Sequence, residues 1–497
     1  MSRAPHITNE DRSFNFMNKI KYETVIGLEV HLQLKTKTKV FCGCSTVFGQ
    51  RPNSQTCPVC LGFPGSLPVL NEEAFLSALK VALALDCKIQ DIIKFDRKNY
   101  YYPDLPKNFQ ISQYDMPLSY DGFVDIPSGP SGGPKRIRVK RVHLEEDAGK
   151  LIHHPEDGSS LVDYNRTGVP LLEIVTEPDI STPQEAYDYL TKLKSILEYL
   201  KVSDCDMEKG SLRCDANISI RPCGQKELGT KVELKNMNTF KGVRLGLEYE
   251  ARRQASFIEE GGKIVQETRL WDADKSVTVS MRSKEEAKDY RYFPEPDLVP
   301  FVVDKKLIEE MRSALPELPE AKAGRFVKEL GLSGYDAGVL TAQADVAHYF
   351  EECLAIYGSS KTVANWLMGD IMAYMNEKLV PITDIGLAPS GLVAILKMID
   401  DGSISGKMAK DVLSEALETK ASPADIVAKK GLAQISDAGK LEEIVAGVIA
   451  RNEKSVNDYK AGKKNALGFL VGQIMKETGG AANPALVNEI LKKNLGE

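Results

Sequence analysis

TVIGLEVHLQLKT, residues 24–36, alternates without a break. Leu28, Val30, Leu32 and Leu34 fall on one side of an extended chain, Glu29, His31 and Gln33 on the other. Such a period describes a strand with an apolar and a polar face, as an antiparallel sheet provides when one face packs on a core and the other stays wet. Four further stretches repeat the pattern. In RVHLEEDAG (141–149) His143, Glu145 and Asp147 lie opposite Val142, Leu144 and Glu146. PLLEIVTEPD (170–179) sets Glu173 and Glu177 against Leu172 and Ile174. SLRCDANISIR (211–221) sets Arg213, Asp215, Asn217 and Arg221 against Leu212, Cys214, Ala216 and Ile218, and KVELKN (231–236) sets Lys231, Glu233 and Lys235 against Val232 and Leu234.

The polar faces hold carboxylates, two histidines, arginines and an asparagine in place of the usual Thr, Lys and Ser. These are ligands for a hard divalent cation and partners for phosphate. Mg²⁺ takes few carboxylates and leaves its other positions to water and nucleotide phosphates, so the five strands suit Mg-ATP lying on an open sheet. Neither a GxxxxGK[ST] loop nor a GxGxxG turn occurs, so a P-loop or dinucleotide fold is not supported.

Directly after the first strand, FCGCSTVFGQRPNSQTCPVC (41–60) holds four of the nine cysteines. Cys42 and Cys44 are separated from Cys57 and Cys60 by twelve residues. Two close thiol pairs flanking a loop bring four thiolates to the corners of a zinc tetrahedron, and Gly43 and Pro58 suit the tight turns. Cys87, Cys205, Cys214, Cys223 and Cys353 are scattered and read as small buried hydrophobes. RKNYYYPDLPKNFQISQYDMPL (97–118) reads as an aromatic loop and GPSGGPKRIR (129–138) as a hairpin turn.

At 497 residues with a net charge of −6, the chain is expected to form about three domains and not to coat nucleic acid nonspecifically. No apolar run approaches the ~20 residues of a membrane span, and the N-terminus resembles neither a secretory nor a transit peptide, which points to the cytoplasm. From about Pro296 the pattern turns helical; Val363, Trp366, Leu367, Ile371 and Tyr374 read as a core stripe. In KKNALGFLVGQIMKETGGAANP (463–484) Lys464, Gly468, Gly472 and Lys476 recur every fourth residue. From spacing alone, helix packing through the glycines is favoured over an RNA backbone lying against the small residues with the lysines on phosphates.

IGLEVHLQLKT, the CxC…CPVCLGFPG knuckle, RKNYYYPDLPKNFQISQ, HLEEDAGK, DYNRTGVPLLEIVTEPD, SLRCDANISIRP, KVELKNMN and ALGFLVGQIMK, in that order from Tyr22 onward, resemble the B subunits of bacterial glutamyl/aspartyl-tRNA amidotransferases. The resemblance implies an α+β fold. Its parts are a cradle domain (22–296) with an antiparallel sheet related to glutamine synthetase, an all-helical domain (297–404) and a helical tail (405–497) that meets tRNA; residues 1–21 fall outside it. It implies phosphorylation by ATP of the side-chain carboxylate of Glu-tRNA(Gln) or Asp-tRNA(Asn), then displacement of phosphate by ammonia from a partner amidase subunit, a small bridging subunit completing a heterotrimer. Neither DNA nor membrane has a part. The family's Mg-ATP site matches Glu29, His31, Glu145 and Glu173, with Glu146 added as a neighbour and Arg213 as a cation for phosphates. Asp215, Asn217, Lys231 and Glu233 are expected as nucleotide contacts, and Lys98 and Lys107 match an ammonia path. The absence of a Cys/His/Glu glutaminase signature and of a Ser/Ser/Lys amidase stretch fits a chain that depends on a partner for ammonia.

Overall fold

The computed structural model describes residues 22–127, 133–154, 156, 158–281, 290–431, 438–461, 463, 465–478, 482 and 484–496. Residues 129–132 of the hairpin turn expected at GPSGGPKRIR lie outside them, though the strands on either side pair antiparallel up to Ile126↔Lys135; the N-terminal extension 1–21 and Lys464 also lie outside.

The chain forms two compact units, residues 1–318 and 319–497. The first is a mixed α/β unit. Its strands are β1 (Tyr22–Gln33), β2 (Lys88–Ile89), β3 (Ile92–Ile93), β4 (Asp96–Asn99), β5 (Phe109–Ser112), β6 (Ser119–Ile126), β7 (Lys135–Glu146), β8 (Lys150–His154), β9 (Ser159–Asp163), β10 (Pro170–Thr176), β11 (Leu212–Pro222), β12 (Val232–Lys235), β13 (Glu267–Asp272) and β14 (Val277–Ser280). Nine of them make one sheet in the order β14-β13-β12-β11-β1-β10-β7-β6-β2. Its described pairings are antiparallel except for β12 with β13, which run parallel. β1, the strand read from 24–36, sits near the middle.

The apolar members of each alternation do what the period predicts. Leu28, Val30 and Leu32 of β1, Leu144 of β7, Leu172 and Ile174 of β10, Ala216 and Ile218 of β11 and Leu234 of β12 are essentially inaccessible and form one core. Helices α1 (Glu72–Ala84), α2 (Pro183–Leu200) and α3 (Phe240–Glu259) pack onto that core. Each has an N-cap side chain that satisfies a first-turn amide: Asn71, Thr182 and Thr239 accept from Ala74, Glu185 and Gly242. The sheet's other face carries the polar rows, part of it covered by β5, whose Ser112 reaches Glu145.

The first unit runs past the boundary expected at 296. Phe301–Val302 pairs with β3, and Ile308, Leu315 and Leu318 pack on the first core, so the chain leaves this unit only after the helix Lys305–Ser313. The region read as an aromatic loop instead contains β4 and β5, paired antiparallel from Asp96↔Ser112 to Asn99↔Phe109. Each strand is too short to show a period, and the tyrosine-proline run sits between them.

The second unit is helical in its described residues. One core gathers Phe326 through Ile426, including Val363, Leu367 and Ile371 of the expected stripe; Trp366 and Tyr374 pack at its edge. Another gathers Leu441 through Leu495. The helices Gly406–Thr419 and Pro423–Lys430 belong to the former, so the change of core falls after Ile426, not at 404. Among the described residues no helix is long and apolar enough to cross a membrane.

Candidate functional site

Strand register decides which polar side chains meet. His31 pairs with Glu173 and with Arg213, and Glu173 pairs with His143, so Arg213, His31, Glu173 and His143 form one row across four adjacent strands. Two residues along, Gln33 and Glu145 flank Leu171; two residues the other way, Asp215, Glu29, Val175 and Arg141 form a third row. Because the side-chain period is two, all three rows face the same way.

His31, Glu145 and Glu173 converge, with one ligand atom of each within 4.8 Å of the others. His31 Nε2 lies 3.4 Å from Glu173 Oε2 and 4.0 Å from Glu145 Oε1. His143 Nε2 bridges the same carboxylates at 3.4 and 3.5 Å. Ser112 Oγ donates to Glu145 at 2.9 Å, and Arg141 approaches Glu173 at 3.6 Å. Both carboxylates are almost fully buried, and burial alone would favour protonation; His143 with Lys98 for Glu145, and His143 with His31 for Glu173, outweigh it and hold both ionised, Glu173 well below the usual range. In return, burial disfavours a charged His143, but Glu173 and Glu145 win and lift it to about 9. One imidazole, that of His31, and the two carboxylates offer three ligand atoms that fit a divalent cation, while His143 holds the carboxylates from the other side.

The other expected residues divide. Glu29 is one row away from the triad. Its carboxylate accepts from Asn217 Nδ2 at 2.9 Å, and burial together with Glu173 and Glu233 pushes its pKa up. Arg213 is held by Asp147, whose buried carboxylate accepts from Arg213 at 2.8 Å and Gln33 Nε2 at 2.7 Å. Asp215 accepts from Lys235 Nζ at 2.9 Å, and Glu233 accepts from Thr268 at 2.8 Å. Lys231 is exposed one residue before β12, whereas Lys235 joins Asp215 and Glu233. Glu146 does not join the triad. The pleat turns it to the opposite side from Glu145, where it takes Lys107 Nζ at 2.5 and 2.7 Å and the Ile111 amide at 2.8 Å. Lys98 stands over Tyr290 at 4.9 Å and Tyr100 at 5.8 Å; burial opposes its charge, but Glu145 and Glu173 keep it protonated.

His143, Asp147 and Lys235 were present in the alternating faces, and the same period that singles out Glu145 marks His143 and Asp147. Ser112 and the wall formed by Tyr290, Tyr292 and Tyr114, the last two stacked at 4.2 Å, carried no such mark. They arrive from distant, short or irregular segments.

Cys42, Cys44, Cys57 and Cys60 offer four Sγ atoms within 4.8 Å of one another. All are free thiols; the Cys57 amide donates to Cys60 Sγ at 3.2 Å. A hydrogen bond with Cys42 pulls the Cys60 thiol down to about 4 against the effect of burial, while burial and Cys57 push Cys44 up to about 11. Four sulfurs so gathered fit a tetrahedral zinc. Of the remaining cysteines, Cys87, Cys205, Cys214 and Cys353 are buried as expected, but Cys223, at the turn after β11, is exposed.

In the tail, Leu470 and Ile474 point the helix Asn465–Glu477 into its core, leaving Gly468, Gly472 and Lys476 exposed on the other side. A Cβ on either glycine would meet no described atom within 4 Å, so no described residue shows the packing that spacing favours.

A family model described as the GatB/GatE catalytic domain matches residues 24–309, and one described as the GatB domain matches 348–495. The B subunit of the aspartyl/glutamyl-tRNA(Asn/Gln) amidotransferase of Caldanaerobacter subterraneus subsp. tengcongensis is 57% identical over 478 residues, covering 96% of this chain and all of its own. The B subunit of the same name from Carboxydothermus hydrogenoformans is 57% identical over 480 residues (96% of this chain, 99% of its own), and that from Brevibacillus brevis 54% over 475 (96% and 99%). Matched over 96% of its length, the chain belongs to the family of aspartyl/glutamyl-tRNA(Asn/Gln) amidotransferase B subunits.

Proposed function

We propose that this chain is the activating subunit of a glutamine-dependent ligase that forms carbon–nitrogen bonds on tRNA. It phosphorylates the side-chain carboxylate of Glu-tRNA(Gln) or Asp-tRNA(Asn) with ATP and passes it to ammonia from a partner amidase subunit. The observation that carries this reading is the open sheet face on which His31, Glu145 and Glu173 converge within reach of Arg213. His31, Glu145 and Glu173 would hold Mg²⁺, with Glu29 behind them; the ion supplies charge neutralisation on the phosphates. Transfer of a phosphoryl group to a carboxylate is mostly positioning and charge balance, so the chain's own part is to orient two anions against each other. His143 and Ser112 fix the two buried carboxylates. Arg213, oriented by Asp147, offers a cation to the phosphates, and Asp215, Asn217, Glu233 and Lys235 line the same face for the nucleotide. Lys231 lies farther from this group.

We read the open sheet as related to that of glutamine synthetase, followed by a helical and a tail domain. Lys107, on the cavity side of Glu146, and Lys98, between the tyrosines and Glu145, suit an ammonia path from a partner held through a small bridging subunit. The decisive experiment combines the purified chain with amidase and bridging subunits, ATP, glutamine and either misacylated tRNA. Amide should form only in the complete mixture, and amide from glutamine by the chain alone would overturn the division of labour. Lys98→Ala should cut the glutamine-driven rate several-fold more than the rate with free ammonia. Equal losses argue against a path.

In the tail, Gly468, Gly472 and Lys476 face outward, as a phosphate backbone requires; Lys464, outside the described residues, would extend that face. Reversing both lysines to Glu should weaken tRNA binding and reduce the slope of log affinity against log salt by about one to two. ATP hydrolysis in the absence of tRNA should stay unchanged. A lower melting temperature with tRNA affinity intact would assign the face to packing.

A further inference from the structure

Lys39 is completely inaccessible, one of the largest fully buried side chains in the molecule, and no carboxylate pairs with it among its described contacts. Burying an ammonium this way is costly unless something negative receives it. Its Nζ donates to the Gln55 carbonyl at 2.8 Å and the Tyr164 carbonyl at 3.3 Å, and it stands 3.7 Å from Cys60 Sγ. Two carbonyl dipoles satisfy hydrogen bonds but do not balance a full charge. The thiolate does.

This inference rests on the reading of the four cysteines as a zinc site. Four thiolates around a dication leave two net negative charges in a half-buried knuckle. The backbone compensates in part, through the Cys57 amide that donates to Cys60; separately, the Lys39 amide donates to the Cys44 carbonyl, tying the lysine's own backbone to the first thiol pair. We propose that Lys39 is the built-in counter-cation of the cysteine knuckle, a positioning residue whose N–H···S contact to Cys60 holds the tetrathiolate and its zinc in place. Groups that orient metal ligands without touching the metal affect its retention strongly.

The fold around Lys39 supports this assignment. Gly168, whose φ of +83° favours glycine, lies against it: a Cβ there would be in ordinary contact, 3.4 Å from Lys39 Cδ and 3.6 Å from Cys60 Cβ, so the turn packs directly on the stem and the sulfur ligand. The carbonyl partners come from both sides of a laced junction. Asn53 donates from its amide to Asp163 and from its side chain to Val162, the Tyr164 amide donates to Asn53, and the Gln55 amide donates to Asn165. Lys39 thus pins the knuckle loop, residues 162–165 and the sulfur centre at one point. Arg166, just beyond, donates to the Ala148 and Gly149 carbonyls beside Asp147.

The test is the rate at which full-length protein, loaded with zinc, surrenders it to a chromogenic chelator. Lys39→Gln keeps a donor for the carbonyls and removes the charge; Lys39→Met removes both; Lys39→Arg keeps both. Both neutral variants should release zinc at least ~10-fold faster than wild type, and Lys39→Arg should stay near the wild-type rate. Hydrogen exchange across 51–55 and 162–166 should quicken in the neutral variants. Neutral variants that hold zinc as long as wild type overturn the role of Lys39. If neither neutral variant folds by circular dichroism, Lys39→Arg decides: slow release supports the proposal, and release as fast as from Cys57→Ser overturns it. A wild-type chain that neither retains nor takes up one zinc overturns the metal reading itself, a result distinct from either.

Discussion

Glu145→Gln should lower ATP consumption driven by misacylated tRNA by about 10²- to 10³-fold, the scale of losing one preorganised electrostatic group, while tRNA binding persists. The substitution is nearly isosteric. A glutamine can still accept from Ser112 Oγ, now 2.9 Å from the carboxylate, and still sit beside His143. What it cannot do is supply the second of two buried negative charges. In the native site, His143 with Lys98 keeps Glu145 ionised and His143 with His31 keeps Glu173 ionised against strong desolvation, so on the proposed reading two negative charges are available to a divalent cation. Removing one charge weakens that attraction without moving the rows. The proposed tRNA face of the helix Asn465–Glu477 is untouched, and the glutamine hydrolysis proposed for a partner subunit should be unchanged. The measurement is tRNA-dependent ATP turnover beside a tRNA-binding isotherm on the same preparation. Near-normal turnover in Glu145→Gln and Glu173→Gln alike would remove the metal-phosphate assignment of this face.

The alternating strands made most of this site legible before any fold was known. A period of two is a statement about direction, so Glu29, His31, Glu145, Glu173 and Arg213 could be put on one face each from their own strand alone. What alternation cannot give is the offset between strands. Register places Arg213, His31, Glu173 and His143 in one row and displaces Glu29 to the next, a distinction carried by pairing across more than a hundred residues of sequence. The four cysteines were legible for the opposite reason: their geometry is local, with both pairs on tight turns. Lys39 was not. Nothing in KTKTKV distinguishes the one lysine that folds inward from those that stay outside. The tyrosine wall had no signal either, since Tyr290 and Tyr292 reach Tyr100 and Tyr114 only through the tertiary fold.

Glu146 is where chain adjacency to Glu145 misled, and it carries the other large expected effect. Glu145 faces the open side of the sheet; Glu146 faces a cavity of about 250 Å³ lined by Lys107, Arg97, Cys42 and Cys60. There its carboxylate takes two contacts from Lys107 Nζ and one from the Ile111 amide, with both side chains largely excluded from water. Gly62, at φ +71°, leaves room for that lysine; a Cβ there would fall 2.3 Å from Lys107 Cγ. Glu146→Leu would strand a buried ammonium and a backbone amide together, and breaking such a pair from one side should cost the first unit roughly 3–5 kcal/mol. Replacing both partners, as Glu146→Leu with Lys107→Met, should recover most of the loss, because no uncompensated charge remains. Trp271 is buried in the first unit, so its fluorescence in a Trp366→Phe background follows urea unfolding of that unit alone. A single-mutant loss below about 1 kcal/mol would mean that water reaches the pair and that Lys107 is free to serve the cavity.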